Sequence, residues 1–461
     1  MVLSPAVHAV DAPPAPAEST TLARAVTAWD VAAMAAAHSR SARAADADTQ
    51  KAEADEASID RAFIPRLELS ARYTRLGETE ASTLEGLPIA ISLEGAQPNQ
   101  YAFGASLAVP LTDYLVRLPV AREAGSGAAE AKRALAAVAR QRSAAEAALR
   151  YYDWAKATLG LEVAEQSVVD SIAILQTAER LVAAQVGSPA DVALAKAAAA
   201  EARLAVARAG HTIALLERLV RTATGAPGRL TLDADGTLPP WPGADAVLAT
   251  LTPAEAGEAS TTDRARTPLI TRAMEERIEL RAIRTGDAAL AARARLAGRD
   301  RYPRLDLAAN AQAVNPNLRR AIPNDELEFV WDVSVVASWR LDGLWSAQNV
   351  EESVAAEREH LAADRGSLLD GITSELDAAL AAWDDAQAAL TAAGPILAAA
   401  TEGHRVRLAL FALGKASSLE VTEAETTLRR ARLAAVVARV DVRIAELKVL
   451  HAVGFVLGGQ G

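Results

Sequence analysis

Residues 331–341 read Trp-Asp-Val-Ser-Val-Val-Ala-Ser-Trp-Arg-Leu, and taken two at a time they separate into two faces. One face is Trp331, Val333, Val335, Ala337, Trp339 and Leu341; the other is Asp332, Ser334, Val336, Ser338 and Arg340. A side-chain period of two, with one apolar and one largely polar surface, is that of a β-strand. Three more stretches share it. Over about 63–74, Phe63, Pro65, Leu67, Leu69, Ala71 and Tyr73 oppose Arg66, Glu68, Ser70, Arg72 and Thr74. Over about 101–112, Tyr101, Phe103, Ala105, Leu107, Val109 and Leu111 oppose the small Ala102, Gly104, Ser106 and Ala108. Over about 303–312, Leu305, Leu307, Ala309 and Ala311 oppose Arg304, Asp306, Asn310 and Gln312. The fourth strand is expected over about 330–341.

Almost everything else reads as helix. The chain is 51% hydrophobic but only 4% aromatic, with alanine dominant. Alanine is the best helix former and a poor core filler, so long helices packed closely side by side suit this composition. A helix is expected from Thr21 to about Asp60, a loop at 76–99, and a long helix over 116–186. Gly187-Ser188-Pro189 stops that helix, and Pro189 opens the next, 189–224, at its first turn. Residues 226–262 are rich in Pro and Gly and read as an independent insertion. A helix over 263–299, a loop at 313–328, a long helix 347–413 interrupted at Gly394-Pro395, and a last helix 418–453 complete the chain, with 455–461 as a tail.

The order helix, strand, strand, long helix, short helix occurs twice. Asp191-Val192 aligns with Glu420-Val421, and Ala202-Arg203-Leu204-Ala205 with Ala431-Arg432-Leu433-Ala434. Pro65-Arg66-Leu67 matches Pro303-Arg304-Leu305 at a slightly different offset. The chain is an internal duplication, with a first repeat over 21–225 and a second over 263–454.

Strands of about ten residues have the length of a tilted membrane-crossing β-strand. Four cannot close, and open edges are not tolerated in lipid, so copies must assemble. Two copies would give eight strands and three would give twelve. An eight-strand barrel is filled by its own side chains. Three copies of a duplicated chain would instead make a quasi-sixfold tube. The helices agree in length: 116–186 is roughly 105 Å long, and 24–60 with 189–224 are each roughly 55 Å, so two stacked short helices match one long one. The fold expected is a trimeric twelve-strand β-barrel, four strands per chain, continued by a long α-helical tunnel. The competing architecture is a non-membrane coiled-coil scaffold or adhesin, which would explain the helices but not four membrane-length amphipathic strands.

Composition excludes several functions. No cysteine is present, which removes disulfides, thiolate chemistry and a lipid-modified cysteine. A net charge of −11 argues against nucleic acid. No apolar run reaches the eighteen or so residues of a spanning helix. The histidines His8, His38, His211, His360, His404 and His451 are scattered without metal-ligand spacing, and no catalytic constellation is found. Val7-His8-Ala9 resembles the small-residue end of an export signal but lacks a charged n-region and a full apolar h-region, so 1–20 is read as a signal remnant and disordered spacer.

Phe63-Ile64-Pro65-Arg66-Leu67 and Arg301-Tyr302-Pro303-Arg304-Leu305 enter the strands, Val186-Gly187 and Leu413-Gly414 sit at the turns, and Leu450-His451-Ala452-Val453-Gly454 closes the chain. In these motifs and their order, twice over, the chain resembles the TolC-like outer membrane efflux proteins along nearly its whole length. The resemblance implies a homotrimer in the outer membrane of a Gram-negative bacterium, with most of the chain in the periplasm. It implies docking to a periplasmic adaptor protein and an inner membrane RND or ABC-type transporter, with no catalysis and no cofactor. Residues 226–262 would belong to an equatorial belt. Tyr73, Tyr101, Phe103, Trp331 and Trp339 are expected to face lipid; the helix tips Gly187, Ser188, Gly414 and Lys415 to face the adaptor. Asp191, Glu420 and Glu423 would form an acidic ring at the periplasmic entrance. Three features depart from the family. The first turn, Gly187 to Asp191, is two residues shorter than the second, Gly414 to Glu420. The tyrosine and arginine that tie the tips shut in other members appear as Phe411 and Ala416. The Asn-Pro of the first helix is absent near His38-Ser39, while Thr267-Pro268 keeps the proline in the second half.

Overall fold

The structure, a computed structural model, describes residues 25–77, 82–84, 91–93, 98–226, 228–232, 236–251, 261–317, 319 and 326–459. The N-terminal segment 1–20 lies outside these residues, as does much of the 313–328 loop. Chain order is α1 (Ala28–His38), α2 (Arg40–Arg61), β1 (Arg66–Arg75), β2 (Ser82–Leu84), β3 (Ile91–Leu93) and β4 (Asn99–Pro110), then a π-helical turn Asp113–Arg117. There follow α3 (Leu118–Ala183), α4 (Pro189–Thr224), α5 (Asp245–Leu248), α6 (Thr261–Glu276) and α7 (Ile278–Arg299). The chain ends with β5 (Arg304–Asn315), β6 (Glu328–Ser338), α8 (Gly343–Ala412) and α9 (Ser418–Ala452).

Four strands form one antiparallel sheet in the order β1-β4-β5-β6. The loop expected at 76–99 contains the short β2–β3 hairpin. β5 runs three residues past its expected end because Ala313 and Val314 remain paired to Phe329 and Glu328.

The helices lie in a layer in which α3 packs on α2, α4, α7 and α9, while α8 packs on α7 and α9. Local chemistry accounts for their ends. Ser188 and Ser417 cap α4 and α9, each in a reciprocal capping box with the acid three residues on, Asp191 or Glu420. Gly225 closes α4 at φ 70°, a left-handed conformation that glycine adopts without a steric penalty.

Three helix expectations are corrected by the structure. The helix expected over 21–60 is broken at Ser39, which is extended (φ −63°, ψ 142°) and caps α2 through Ala42 N–H. The helix expected over 263–299 is broken at Arg277 (φ −62°, ψ 123°), while Pro268 sits inside α6 without ending it. Arg277 holds its break by tertiary contact. Its buried guanidinium donates to the Ala452 carbonyl at 3.1 Å and to Glu375 at 2.5 Å. Conversely, α8 passes through Gly394-Pro395 uninterrupted. Both residues are exposed, so water can serve the carbonyl that the proline leaves without a donor.

The largest core cluster lies where α1, α3, α8 and α9 meet. Tyr151, Tyr152, Trp154, Leu376, Leu380, Trp383 and Leu450 are buried there. The described residues of the 226–262 insertion are not independent of it. Leu230, Trp241, Ala244, Val247 and Leu251 are buried in the same cluster, Trp241 edge-on to Trp29 at 6.0 Å, and Thr231 bridges to Ala25. The insertion read as separate from its Pro and Gly content is anchored by these few apolar side chains.

Candidate functional site: the sheet face and the helix tips

The strand register sorts the sheet into two surfaces. Tyr73 faces Tyr101; Ala71, Phe103, Ala313 and Phe329 form one cross-strand row; Leu69, Ala105, Ala311 and Trp331 form the next. Every one of these is on the same face, and its large members are exposed: Leu69 77%, Trp331 67%, Phe329 70%, Phe103 53%. A soluble protein rarely leaves so large an apolar patch in water. Tyr73 and Tyr101 meet at 5.2 Å with their rings tilted by 39° near one end of the sheet, and Trp339 lies at the other, its indole N–H donating to the Arg301 carbonyl at 3.1 Å. Aromatic residues at both ends with aliphatic residues between is the arrangement favoured across a bilayer and its interfaces.

The opposite face is polar. Glu68, Ser106, Asn310 and Asp332 share one row, and Ser70, Gly104 and Gln312 the next. Asn310 donates to Asp332 at 2.9 Å, and Arg319 reaches the same carboxylate at 2.7 Å. β1 and β6 are the outer strands and each has a single neighbour in this sheet. Exposed strand edges in hydrocarbon are prohibitive, so a sheet with this face must close on further strands.

At the far end of the long helices the two turns pack together. Ser418 N–H donates to Asp191 Oδ1 at 3.2 Å, and its hydroxyl donates to the Asp191 carbonyl at 3.2 Å. Beneath them Ile174, Ala178, Ala195, Phe411 and Val421 form a separate buried cluster, with Ala416 against it. Phe411, which stands where the resemblance implies a tip-tying tyrosine, is thus part of an apolar tip core, and Ala416 packs on it. Gly414 has φ 70°, and a Cβ there would lie 2.9 Å from Val186. Gly187 closes the first turn with its N–H on the Leu181 carbonyl. Ser188 and Lys415 are exposed.

Asp191 and Glu420 are both brought to the tips, but engaged there. Glu420 accepts from Ser417 N–H at 2.8 Å and pairs with Arg407 at 2.9 Å. The Ser417 backbone N–H, seconded by Arg407, holds the Glu420 carboxyl below its ordinary range. Glu423 is exposed, with no side-chain partner among the described residues. The Ser-x-x-acid spacing that signals these capping boxes is legible in the sequence; the reading of the acids as a ring passed over it. Also unforeseen is Glu425, a buried carboxylate on α9 that takes the Ser167 hydroxyl of α3.

The model of the outer membrane efflux protein family matches residues 31–226 and 269–454. The chain belongs to that family. The two matched blocks fall on the two repeats, with the insertion between them. Among solved structures, the fold is similar to the transmembrane channel protein CusC, with a TM-score of 0.71 at 16% identity over 93% of this chain and 92% of that one. The outer membrane protein VceC of Vibrio cholerae gives 0.69 at 18%, over 92% and 95%. The CmeC outer membrane channel of Campylobacter jejuni gives 0.70 at 12%, over 100% and 96%. No curated protein sequence matches significantly. Members of this family are channels and not enzymes, and they work as trimers in the outer membrane. No helix among the described residues is long and apolar enough to cross a membrane; in this fold the sheet does so.

Proposed function

We propose that three copies of this chain form an exit duct across the outer membrane for a tripartite export system. The sheets close into a twelve-strand barrel, and the helices continue it through the periplasm. The observation that carries this is the sheet itself: one exposed apolar face flanked by aromatics, one polar face, and two outer edges. In finer detail, the tips around Ser188 and Lys415 meet a periplasmic adaptor, an RND or ABC-type transporter lies beyond it, and Asp191, Glu420 and Glu423 line the entrance. The insertion 226–262 belongs to a belt around the tunnel.

The test compares neighbouring residues of β6. Val335 is 66% exposed on the apolar face and Ser334 lies on the polar one. Val335→Arg is expected to lower the yield of assembled trimer in outer membranes, at a cost of about 2–4 kcal/mol for a mid-bilayer site. Ser334→Arg should assemble and alter conductance instead. Equal tolerance of both in an assembly assay would remove the barrel.

A further inference from the structure

The duplication makes the unpaired edges of the chain readable, because the seam between its two halves must resemble the seam between copies. Within the chain the halves meet where β4 pairs with β5, where α3 packs on α7 and, further along, where α3 packs on α9. The outer limits are β1 and α2 on one side, β6 and α8 on the other. Advancing the first repeat onto the second carries β1 and α2 onto β5 and α7, and β4 and α3 onto β6 and α8.

Landmarks common to the two repeats fix the offsets. Ser39 maps to Arg277 at the helix breaks and Pro65 to Pro303, an offset of 238 in both cases. The hairpins superpose when β4 is advanced by 230: Leu69 opposite Ala105 becomes Leu307 opposite Val335. After the π-helical turn, which adds one residue to the first half only, α3 maps to α8 with an offset of 229, Trp154 onto Trp383. Packing bears this out. A Cβ on Gly125 would lie 2.7 Å from Ile59; their images Val354 and Ala297 are both buried, large and small exchanged.

Applied to the internal seam, the same offsets turn each contact within the chain into one between copies. Pro110 opposite Asp306 becomes Arg340 opposite Glu68. The Leu305 N–H that donates to Thr112 Oγ1 at 2.9 Å becomes the Leu67 N–H aimed at Asp342. The Glu130–Arg281 pair at 3.9 Å becomes Glu359 facing Arg43. Both strand offsets are even, so the apolar face stays apolar, with Trp339 beside Leu69. Arg340, Glu68, Asp342, Glu359 and Arg43 are exposed, and their side chains have no partner among the described residues. Two charge pairs of opposite sign and one acceptor for a strand N–H thus emerge from residues that are idle in one copy.

We propose that β6 pairs with β1 of the neighbouring copy in this register, with α8 lying on that copy's α2. The proposal rests on the trimeric channel reading and names the surface by which the trimer closes. The absence of cysteine allows a clean test. Ala108 faces Ala308 within the chain, so Ser338→Cys with Ser70→Cys should form a disulfide between copies. Ala356→Cys with Lys51→Cys, the image of the close Gly127–Ala289 approach, should do so between helices. On mild oxidation of outer membranes holding the full chain, both pairs are expected to give covalent dimers and trimers. Single variants should give none, and neither should Val336→Cys with Ser70→Cys, displaced by two residues and beyond disulfide reach. Separately, Arg43→Glu should lower the temperature at which the trimer dissociates, and adding Glu359→Arg should restore it. Crosslinking of the displaced pair, or of neither proposed pair in membranes that contain trimer, overturns the register and leaves the channel standing. Absence of any trimer from membranes of the unaltered protein overturns the channel reading itself.

Discussion

Glu420 illustrates how one carboxylate can be committed twice. It caps α9 through Ser417 and pairs with Arg407, whereas Glu423, on the same helix face three residues on, has no side-chain partner among the described residues. If the acids set the charge of the entrance, Glu423→Gln should reduce cation selectivity and block by multivalent cations in planar-bilayer recordings, with the tips intact. Glu420→Gln should do likewise and also loosen the tip, seen as faster amide exchange at the start of α9. Unchanged selectivity and block in the double variant, with the trimer assembled, would return both residues to an ordinary helix surface. His451 carries a different prediction. Burial, the largest influence, lowers its pKa, with Arg277 acting in the same direction and Glu375 and Glu279 opposing. The folded state therefore resists a proton that the unfolded chain accepts near pH 6.5. Stability from this residue is present above that value and falls as the pH drops below it, until the lower folded pKa is reached. Thermal unfolding of His451→Gln between pH 7 and pH 5 should vary less with pH than that of the unaltered protein; an identical slope would exclude the residue.

At the scale of elements, the ends that local chemistry sets were legible and those set by tertiary contact were not. Ser188, Pro189 and Gly225 delimit α4 in the sequence and in the structure alike. Nothing near Arg277 announces a break, because what holds it is Glu375 and a carbonyl at the end of α9, both remote in sequence. Pro395 misled in the opposite sense, since an exposed proline can be carried by a helix whose other contacts are sound. The acidic residues near the turns were found, but their spacing from Ser188 and Ser417 also spells a cap, and a single sequence does not separate the two uses. The tips carry the element-scale prediction. Ser188 and Lys415 are exposed beside Val186 (65% exposed) and Leu413 (69%), an apolar edge next to polar handles. Photocrosslinkers at 188 or 415 should capture a periplasmic adaptor protein in intact cells. No capture while export continues would count against docking at the tips.

For the whole molecule, strand alternation and repeated helix lengths were sufficient to reach the architecture, since a period of two on four ten-residue segments leaves few folds that satisfy every backbone group in lipid. What they did not reveal is how the middle is filled. The aromatic residues there, such as Trp29 and Trp241, come from segments over two hundred residues apart and share no local pattern. The duplication has one more effect, on how the channel comes into being. A ring of six half-chains made separately would have to gather six molecules, and its yield would fall as the sixth power of their concentration. Fusing them in pairs makes assembly a meeting of three. Three of the six joints are then peptide-linked and cannot be lost by dilution.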